Sequence, residues 1–450
     1  MRQLPQAWRI GTLGDAIRIR NGYAFKSADF QKDGVPLIRQ TNLNGKSVDL
    51  SRCARLPNAC LSEYQRFAIK CGDILIGMSG SIGKLCRYDN STPALQNQRT
   101  GKVEWIARDS VSERYVWHFL CTIEDSLRKL GKGVAVANVS SKDIESLIFP
   151  IAPLQEQRRI AKRLDGLVPK IASCRERLDR VPQILKKFRE AVLEAAASGK
   201  LTEEWRARIR CDSHDAWSAM KLASVCQPGR IITYGVIKLG ADIAGGVPCL
   251  RTSDVRWLRI EEDGIKRIAP ELSAEYGRTV LRGDEVLVNV RGTLGGVAAV
   301  MPHMLGWNVS REVAVVPAAP ELIRPRFLAL WIATNSSQRW LAGVQKGVAY
   351  TGINIEDLRA LPVRVPSLNE QSEIVRRVDD LFALADGWQR RYIAALAPVE
   401  KLTPSVLAKA FRGELVPQDP NDEPAGEMLE RLAQGNQQTL RPRKTSHARG

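Results

Sequence analysis

One glycine-rich stretch has the residue types of a phosphate-binding loop. Residues 77–84 read Gly-Met-Ser-Gly-Ser-Ile-Gly-Lys, and such a loop also combines closely spaced glycines with a lysine. The spacing differs, because the motif places four residues between its glycines whereas five separate Gly77 from Gly83. Leu85 also occupies the place of the Ser or Thr that holds magnesium. We therefore interpret the stretch as a hairpin turn between two strands.

Other patterns that indicate catalysis or cofactor binding are missing from the sequence. It has no Asn/Asp-Pro-Pro-aromatic stretch of the kind that amino-methyltransferases use, no glycine-rich nucleotide loop and no Gly-x-Ser-x-Gly motif. Its nine cysteines include no Cys-x-x-Cys pair, and the four histidines lie far apart in the sequence. We therefore expect a recognition protein that is not an enzyme and that has no metal or cofactor of its own.

The remaining sequence is organised around a helical stretch that occurs twice. Residues 156–201 align without gaps to residues 370–415, with 13 identities in 46 positions. Apolar residues in each copy alternate spacings of three and four, a mean period of 3.5 that is typical of helices packed in a left-handed supercoil. We interpret the copies as one antiparallel helix pair, while two unrelated amphipathic helices remain the alternative. The predicted seam comprises Ile160, Leu164, Leu167, Ile171, Cys174, Leu178, Val181, Leu185, Phe188 and Val192, with Ile374, Val378, Leu381, Ala385, Trp388, Tyr392, Ala395, Val399, Leu402 and Val406.

Glycine and proline predict where these helices end or bend. Each copy finishes at a glycine, Gly199 or Gly413, a residue that tolerates the positive φ found just after a helix. Pro182, Pro398 and Pro404 predict a kink or a break inside the copies.

The segments between the helices also repeat weakly, so the chain reads as globule, helix, globule, helix. Val-Pro-Leu-Ile-Arg at 35–39 corresponds to Val-Pro-Cys-Leu-Arg at 247–251, and Lys-Gly-Val-Ala recurs at 132–135 and 346–349. The polar loop residues differ between the halves, which indicates one scaffold carrying two different recognition surfaces. The predicted domains are a first recognition domain (1–152), a central helical spacer (153–210), a second recognition domain (211–365), a C-terminal helical spacer (366–432) and a basic disordered tail (433–450).

The net charge points to a polyanionic partner. The chain has 67 Lys and Arg against 49 Asp and Glu, a formal charge of +18 with a pI near 9.7, and such a balance is typical of nucleic-acid binding. The sequence contains no apolar run of 18 residues, and its first residues lack the apolar core of a signal peptide. We therefore expect a cytoplasmic protein.

Together these features resemble the specificity subunits of type I restriction-modification systems. The resemblance rests on the order globule–helix–globule–helix, on Pro153 to Gln157 entering a helix, on Leu193 to Leu201 closing it, and on the Gly72–Ile76 and Gly283–Asp284 turns. It covers residues 1 to about 432.

That resemblance implies an α+β protein with two similar target-recognition domains joined by two long helices packed as an antiparallel coiled coil, related by an internal pseudo-two-fold repeat. Each domain would read one half of a split, asymmetric double-stranded DNA sequence. The helices would act as spacer and as docking surface for two modification (methyltransferase) subunits, which would bring S-adenosylmethionine. Restriction subunits, which provide the translocase and nuclease, would join this complex. The function implied is that of the non-catalytic DNA-specificity subunit.

Candidate DNA contacts are polar residues in the predicted loops, because Arg and Asn/Gln can each bond two edges of a base in the major groove, while Lys more often holds phosphate. In the first half they are Lys26, Arg39, Gln40, Ser79, Ser81, Lys84, Gln98, Arg99 and Ser140. In the second half they are Tyr234, Arg251, Ser253, Arg291, Thr293, Ser310, Arg311, Tyr350 and Asn354. A surface or turn role is the alternative for each.

Candidate docking residues recur near the start of both helices, which suits two identical partners bound with quasi-symmetry. They are Gln155, Glu156, Gln157, Arg163, Glu370, Gln371 and Arg377. Helix capping and ion pairing by the same residues are the alternative.

Two rival interpretations are kept. A duplicated-domain DNA-binding repressor or adaptor would act without a methyltransferase, but the unlike loops weigh against it because a near-palindromic site requires like readers. An enzyme with an unfamiliar active site is the second rival, and tight binding of S-adenosylmethionine to the isolated chain would favour it.

Overall fold

The computed structural model describes residues 4–45, 47–106, 111–130, 138–209, 217–344 and 352–431. These residues form two compact units, one built from those up to 177 together with those from 395 onward, and the other from those between 178 and 394. Two long helices contribute to both units. The tail predicted to be disordered, 433–450, lies outside the described residues.

The first unit contains β1–β10, α1–α4 and parts of both long helices. Its strands are β1 (Arg9–Thr12), β2 (Ile17–Asn21), β3 (Val35–Ile38), β4 (Ala54–Leu56), β5 (Ala68–Ile69), β6 (Ile74–Gly77), β7 (Leu85–Arg87), β8 (Ala94–Gln96), β9 (Thr100–Trp105) and β10 (Ile148–Ile151). Its short helices are α1 (Cys60–Glu63), α2 (Glu113–Leu120), α3 (Glu124–Leu130) and α4 (Ser141–Glu145). The first long helix is α5 (Leu154–Ala197).

The second unit continues with α6 (Glu203–Ile209), β11 (Ser218–Lys221), β12 (Thr233–Tyr234), β13 (Val247–Leu250), β14 (Val255–Arg256), β15 (Arg259–Ile260), β16 (Arg267–Ile268), α7 (Pro270–Glu275), β17 (Glu285–Asn289), β18 (Val297–Ala299), β19 (Asn308–Val309), β20 (Val313–Pro317), α8 (Pro325–Ile332), α9 (Asn335–Gly343), α10 (Ile355–Arg359) and β21 (Pro362–Val365). The second long helix is α11 (Leu368–Ala410).

The two units share a sheet topology, as the sequence repeat predicts. Each has an antiparallel four-stranded sheet, β2-β9-β6-β7 in the first and β12-β20-β17-β18 in the second. Each also has a mixed sheet with one parallel pair, β3 with β8 and β13 with β19. The buried runs of these strands, such as Val35–Ile38, place apolar side chains on both faces and explain why they lie inside.

The residues predicted to form a hairpin do so. Strand β6 pairs antiparallel with β7, and the amide of Gly83 donates to the carbonyl of Gly77 at 2.9 Å. Gly80 and Gly83 have φ of 65° and 76°, a region that glycine enters without steric cost. A Cβ on Gly77 would lie 2.1 Å from the carbonyl oxygen of Ser81. The glycines therefore serve the turn.

Within each unit the start of one long helix packs against the end of the other, so the pair is antiparallel. In the first unit, Ile160 and Leu164 share a core with Leu407 and Ala410. In the second unit, Leu193 and Ala196 share a core with Ile374 and Val378. The predicted antiparallel coiled coil is confirmed, and Gly199 and Gly413 follow the helices with φ of 76° and 73°.

Two expectations about these helices are wrong. A break at Pro182, Pro398 or Pro404 is the first, since α5 and α11 continue through all three, whereas a kink there stays a prediction. The predicted seam is buried towards the helix ends, but Cys174, Trp388 and Leu402 are exposed. The ends are buried because they also pack against strands and short helices of their unit, whereas residues 169–180 include no buried side chain.

Candidate nucleic-acid interface

In the first unit, the parallel pairing of β3 with β8 brings two loops together. Both strands end at the same edge of the sheet, and the amide of Asn97 donates to the carbonyl of Ile38 at 3.0 Å. Arg39 and Gln40 follow β3 directly, so they lie beside the exposed Gln98 and Arg99 that follow β8.

The β6–β7 turn reaches the same place. The hydroxyl of Ser81 donates to the backbone carbonyl of Gln40 at 3.0 Å. The side-chain nitrogen of Gln40 is 3.0 Å from the position that a Cβ on Gly80 would take. The amide of Gln98 donates to the carbonyl of Tyr23 at 3.0 Å. We call residues 39–42, 79–83 and 97–99, with Tyr23, the first loop cluster.

The second unit builds an equivalent cluster from the same backbone contacts. The amide of Ser310, which follows β19, donates to the carbonyl of Leu250 at 2.8 Å, and the amide of Arg311 donates to the carbonyl of Val236 at 2.9 Å. The amide nitrogen of the Asn289 side chain donates to the carbonyls of Thr252 and Thr293 at 3.1 and 3.0 Å. We call residues 251–254, 291–293 and 310–311 the second loop cluster.

The two clusters carry different side chains at equivalent backbone positions. Ser79 forms an isolated β-bridge with Asn138, shortly before α4, and Arg291 forms one with Gly352, shortly before α10. Ser79 is 3% exposed, whereas Arg291 is an exposed cation. By the same contacts Gln98 corresponds to Arg311. The two clusters therefore present different hydrogen-bonding side chains from equivalent backbone positions.

Several of the residues predicted to contact DNA form hydrogen bonds or ion pairs within the chain. The guanidinium of Arg251 donates to Asp254 at 3.1 and 3.2 Å, an ion pair that raises the pKa of Arg251. The Ser253 hydroxyl donates to the same carboxylate at 2.7 Å. Ser310 is 2% exposed, and its hydroxyl lies 3.4 Å from Glu312. Arg251 is therefore held in a fixed orientation, while Ser310 has little surface to offer.

Other predicted contacts cap helices, lie outside the loop clusters or, in the case of Arg39, contact a neighbouring ring. Ser140 caps α4, since its hydroxyl accepts the amide of Asp143 at 3.1 Å, and Asn354 takes the N-cap position of α10. The Arg39 guanidinium lies 5.6 Å from the Phe30 ring. Lys26 and Tyr234 are exposed, Lys84 is half-buried, and Tyr350 lies outside the described residues.

Sequence patterns alone did not single out Asn97 and Thr252, although both help to build the loop clusters. Asn97 joins β3 to β8 through its amide, and the carbonyl of Thr252 is held by Asn289. Their position could have indicated this role, because Asn97 and Thr252 come shortly after β8 and β13, at the sheet edge where the loops meet. Across the described ranges, no group of three or more His, Cys, Asp or Glu is placed to hold a metal ion.

The comparison with known families decides what this doubled architecture belongs to. The family described as "Type I restriction modification DNA specificity domain" matches the chain twice, over residues 5–183 and 215–392. The chain belongs to the type I restriction-modification specificity family. Members of this family are the non-catalytic DNA-recognition components of those systems, so the chain is a DNA sequence-specificity subunit.

Individual relatives agree with the family match. The chain is 34% identical over 426 residues to the EcoBI specificity subunit of Escherichia coli, covering 92% of this chain and 88% of the relative. It is 28% identical over 436 residues to the EcoKI specificity subunit of Escherichia coli K12, covering 92% and 91%.

Solved structures of the same kind share the fold. The HsdS subunit from Thermoanaerobacter tengcongensis matches with a TM-score of 0.57 at 18% identity, over 92% of this chain and 98% of that chain. A chain from a study of complex assembly and conformational transition in a type I restriction-modification system matches with a TM-score of 0.60 at 17% identity, over 92% and 100%. The predicted fold class is confirmed.

The two glutamates predicted to dock partners are buried, and each forms hydrogen bonds with other segments of the specificity subunit. Glu156, 1% exposed, accepts the indole N–H of Trp8 at 2.9 Å and the side-chain amide of Gln418 at 2.7 Å. Burial raises the pKa of Glu156, and these hydrogen bonds oppose that effect. Glu370, 5% exposed, accepts the Thr202 hydroxyl at 2.7 Å and also bonds Arg206 and Trp217.

The neighbouring glutamines tie each long helix to its unit. The side-chain oxygen of Gln157 accepts the amide of Ser112 at 2.8 Å, just before α2, and that of Gln371 accepts the amide of Arg324 at 2.8 Å, just before α8. Both glutamines are fully buried. A direct contact between these side chains and a partner stays a prediction, but every contact that the structure gives them is internal.

The remaining docking candidates are accessible. Gln155 and Arg163 are exposed on α5, and Arg377 is half-buried on α11. The Arg377 guanidinium donates to Glu373 at 2.6 Å and to the carbonyl of Leu201 at 2.8 Å. Their role in docking a partner stays a prediction.

The Glu373 carboxylate gives a testable pH dependence. Hydrogen bonds from Arg376 and Arg377 lower the pKa of Glu373 from 4.5 to about 2. A carboxyl whose pKa falls on folding stabilises the native state above its ordinary pKa and loses that contribution as pH falls through 4.5 towards 2. We expect Glu373→Gln to lower the melting temperature at pH 7 and the deficit to shrink below pH 4.5. Scanning calorimetry between pH 7 and 3.5 measures this, with exposed Glu400→Gln as control. A deficit independent of pH would contradict it.

Proposed function

We propose that this specificity subunit reads a split, asymmetric DNA target, with the first loop cluster on one half-site and the second on the other. One observation carries the proposal: equivalent backbone contacts hold unlike side chains in the two units, Gln98 in one and Arg311 in the other. Base edges in the major groove are distinguished by such side chains. Two different readers on one scaffold suit a target whose halves differ.

The formal charge of +18 supports the DNA partner, because neutralising phosphates releases counterions and supplies much of the binding free energy. The exposed Arg99 and Arg291 add positive charge to the loop clusters themselves, while Arg311 is paired with Glu312 at 3.8 Å. We propose residues 1–152 and 211–365 as the recognition domains, with 153–210 and 366–432 as helical spacers. A cytoplasmic location accords with this role, and across the described part of the chain no helix is both long and apolar enough to cross a membrane.

We further propose that two modification subunits dock on the long helices and supply S-adenosylmethionine, and that restriction subunits join them. The repetition of the helix starts in both units supports two like partners bound with quasi-symmetry. The known relatives named above are specificity subunits of type I restriction enzymes, which supports the same kind of assembly. A repressor acting alone is the alternative, and the unlike clusters favour the specificity role over it.

Mutating one loop cluster tests the reading role. We expect Arg291→Ala with Thr293→Ala to relax the sequence requirement in one half of the target, because each good base contact contributes about 1–3 kcal/mol of discrimination. The other half should keep its sequence. Methylation-aware sequencing of a host carrying the subunit with its modification partner measures both halves at once.

The mirrored variant, Ser81→Ala with Gln98→Ala, is the matched control and should relax the opposite half only. Equal relaxation of both halves by either variant would contradict one cluster per half-site. Methylation by the chain in the absence of any modification subunit would favour the enzyme alternative, and specific binding by the chain alone with no methylation in the complex would favour the repressor.

A further inference from the structure

The second unit contains an arginine-rich cleft that neither the loop clusters nor the helix junctions use. Its volume is about 710 Å³. It lies between the β14–β15 hairpin, the start of α8 and the segments of α5 and α11 that belong to this unit. Five arginines and two aspartates contribute to its walls: Arg189, Arg256, Arg259, Arg326, Arg390, Asp379 and Asp386.

Three of these arginines are neutralised inside the cleft or beside it. Arg189 bonds Asp386 at 2.6 Å, and Arg326 bonds Asp379 at 2.7 Å. The third, Arg259, pairs with its neighbour Glu261.

The other two arginines of the cleft form no ion pair with the described residues. Arg256 and Arg390 are exposed, and neither has a hydrogen-bond or ion-pair partner among the residues that the structure describes. The cleft therefore retains two guanidinium groups available to an anion.

The hairpin that presents Arg256 is held rigidly. Leu258 at its tip has φ of 59°, and no other non-glycine residue in the described ranges has a positive φ. Its amide donates to the carbonyl of Val297 at 2.7 Å. The indole of Trp257 donates to the carbonyl of Ala333 at 3.3 Å, and its ring lies 5.7 Å from that of Phe382. A left-handed leucine persists only where its surroundings over-determine it, so the tip is pre-organised.

The hairpin that lines the cleft is joined through its backbone to the second loop cluster. The amide of Val255, the first residue of the hairpin, donates to the carbonyl of Arg251 at 3.1 Å. One side chain, Asn289, donates to the carbonyls of both Thr252 and Val255. The backbone that presents Arg256 is therefore joined directly to the backbone of the second loop cluster.

The first half of the sequence does not repeat this pair of arginines. The residue of α5 that aligns with Arg390 is Glu176, and residues 43–48, which follow the equivalent strand, contain one lysine, Lys46, and no arginine. The arginine pair is thus specific to the second half.

We propose that the arginine cleft binds the DNA phosphate backbone beside the half-site that the second loop cluster reads. This assignment rests on the proposed function. Guanidinium groups bond phosphodiester oxygens without regard to sequence, so the cleft fixes the position of the duplex while the loop cluster reads its bases. An acidic segment of a partner protein would also suit the charge, but continuity with the loop cluster favours DNA.

The test uses the complex assembled with its modification partner on target DNA. Changing Arg256→Gln together with Arg390→Gln removes two phosphate contacts, so the slope of log K against log salt should become shallower by about 1.8, at roughly 0.9 per phosphate. The methylated sequence should stay unchanged. As a control, Arg208→Gln with Arg278→Gln removes two exposed charges from the same unit and should leave the slope as in the wild type.

Neutral methylphosphonates placed singly along the DNA beside each half-site give a second readout. They should weaken wild-type binding at one or two positions beside the second half-site and have no further effect on the double variant. An unchanged salt slope would overturn the proposal, and so would loss of co-purifying modification subunit in the double variant, which would instead assign the cleft to a protein partner. A wild-type complex that fails to discriminate its target would refute the proposed function itself.

Discussion

Phe411→Ala is expected to lower the free energy of unfolding of the first unit by about 3–5 kcal/mol, the usual cost of truncating a buried phenylalanine. Phe411 is 9% exposed, and its ring centroid lies 5.1 Å from those of Tyr115 and Phe119. The loss is large because a whole domain is commonly stable by only about 5–15 kcal/mol.

The effect should be confined to the first unit, since the segment after α11 packs there. Ala425 and Met428 are buried in the same core, Asp422 pairs with Arg159 at 2.5 Å, and Gln418 bonds Glu156. Hydrogen-exchange mass spectrometry resolves the two units, and we expect faster exchange in β1, β10 and α2 with β17 and β20 unchanged.

Leu384→Ala provides the control, because Leu384 is 55% exposed on α11, the helix that ends just before Phe411, and such surface changes usually cost within about 0.5 kcal/mol. Equal destabilisation of both units by Phe411→Ala would show that the C-terminal segment does not belong to the first unit alone.

Shortening the long helices by one heptad each is expected to shorten the gap between the two recognised half-sites without changing the bases read. We propose deletion of residues 170–176 together with 395–401, neither of which includes a buried side chain. Seven residues rise about 10.5 Å along a helix, which corresponds to about three base pairs at 3.4 Å each. Methylation-aware sequencing reads the gap and the bases in one experiment.

A deletion out of phase with the heptad repeat is the control. Removing four residues from each helix, 170–173 and 395–398, rotates the apolar stripe away from its partner, because four residues do not match the repeat of seven. We expect that variant to lose stable complex with the modification subunit. A heptad deletion that leaves the gap at its original length would refute the spacer role of the helices.

The sequence was sufficient for the architecture because the architecture depends on periodicity and duplication. A 3.5-residue apolar period in two copies determined the helix pair, and Gly199 and Gly413 determined where it ends. Glycines at 77, 80 and 83 determined the β6–β7 turn. These are local properties of the chain, so they can be read without the fold.

The prolines and the apolar period predicted more than the structure has, namely helix breaks and a seam buried along its whole length. Pro182, Pro398 and Pro404 lie within continuous helices, since an exposed helix can lose a backbone bond to water where its flanking turns are held. Trp388 is 54% exposed although it occupies a seam position, because a two-helix stripe buries a residue fully only where a third element covers it.

Residue roles at the helix starts could not be decided from spacing. Glu156 and Gln157 recur as Glu370 and Gln371, a pattern that suits partner docking and internal capping equally. The structure shows internal contacts because Trp8 and Ser112, distant in sequence, fold onto the start of α5. The docking role of these positions stays a prediction.

What the sequence by itself determined is thus the doubled scaffold, its helix pair and the polar loops that vary between the halves. Only the tertiary structure decided that β3 pairs parallel with β8, and β13 with β19, which brings loops distant in sequence to one edge in each unit. It alone also placed Arg256 and Arg390 in one cleft. Such contacts depend on long-range pairing of strands and helices, and no local period or spacing encodes which loops will meet.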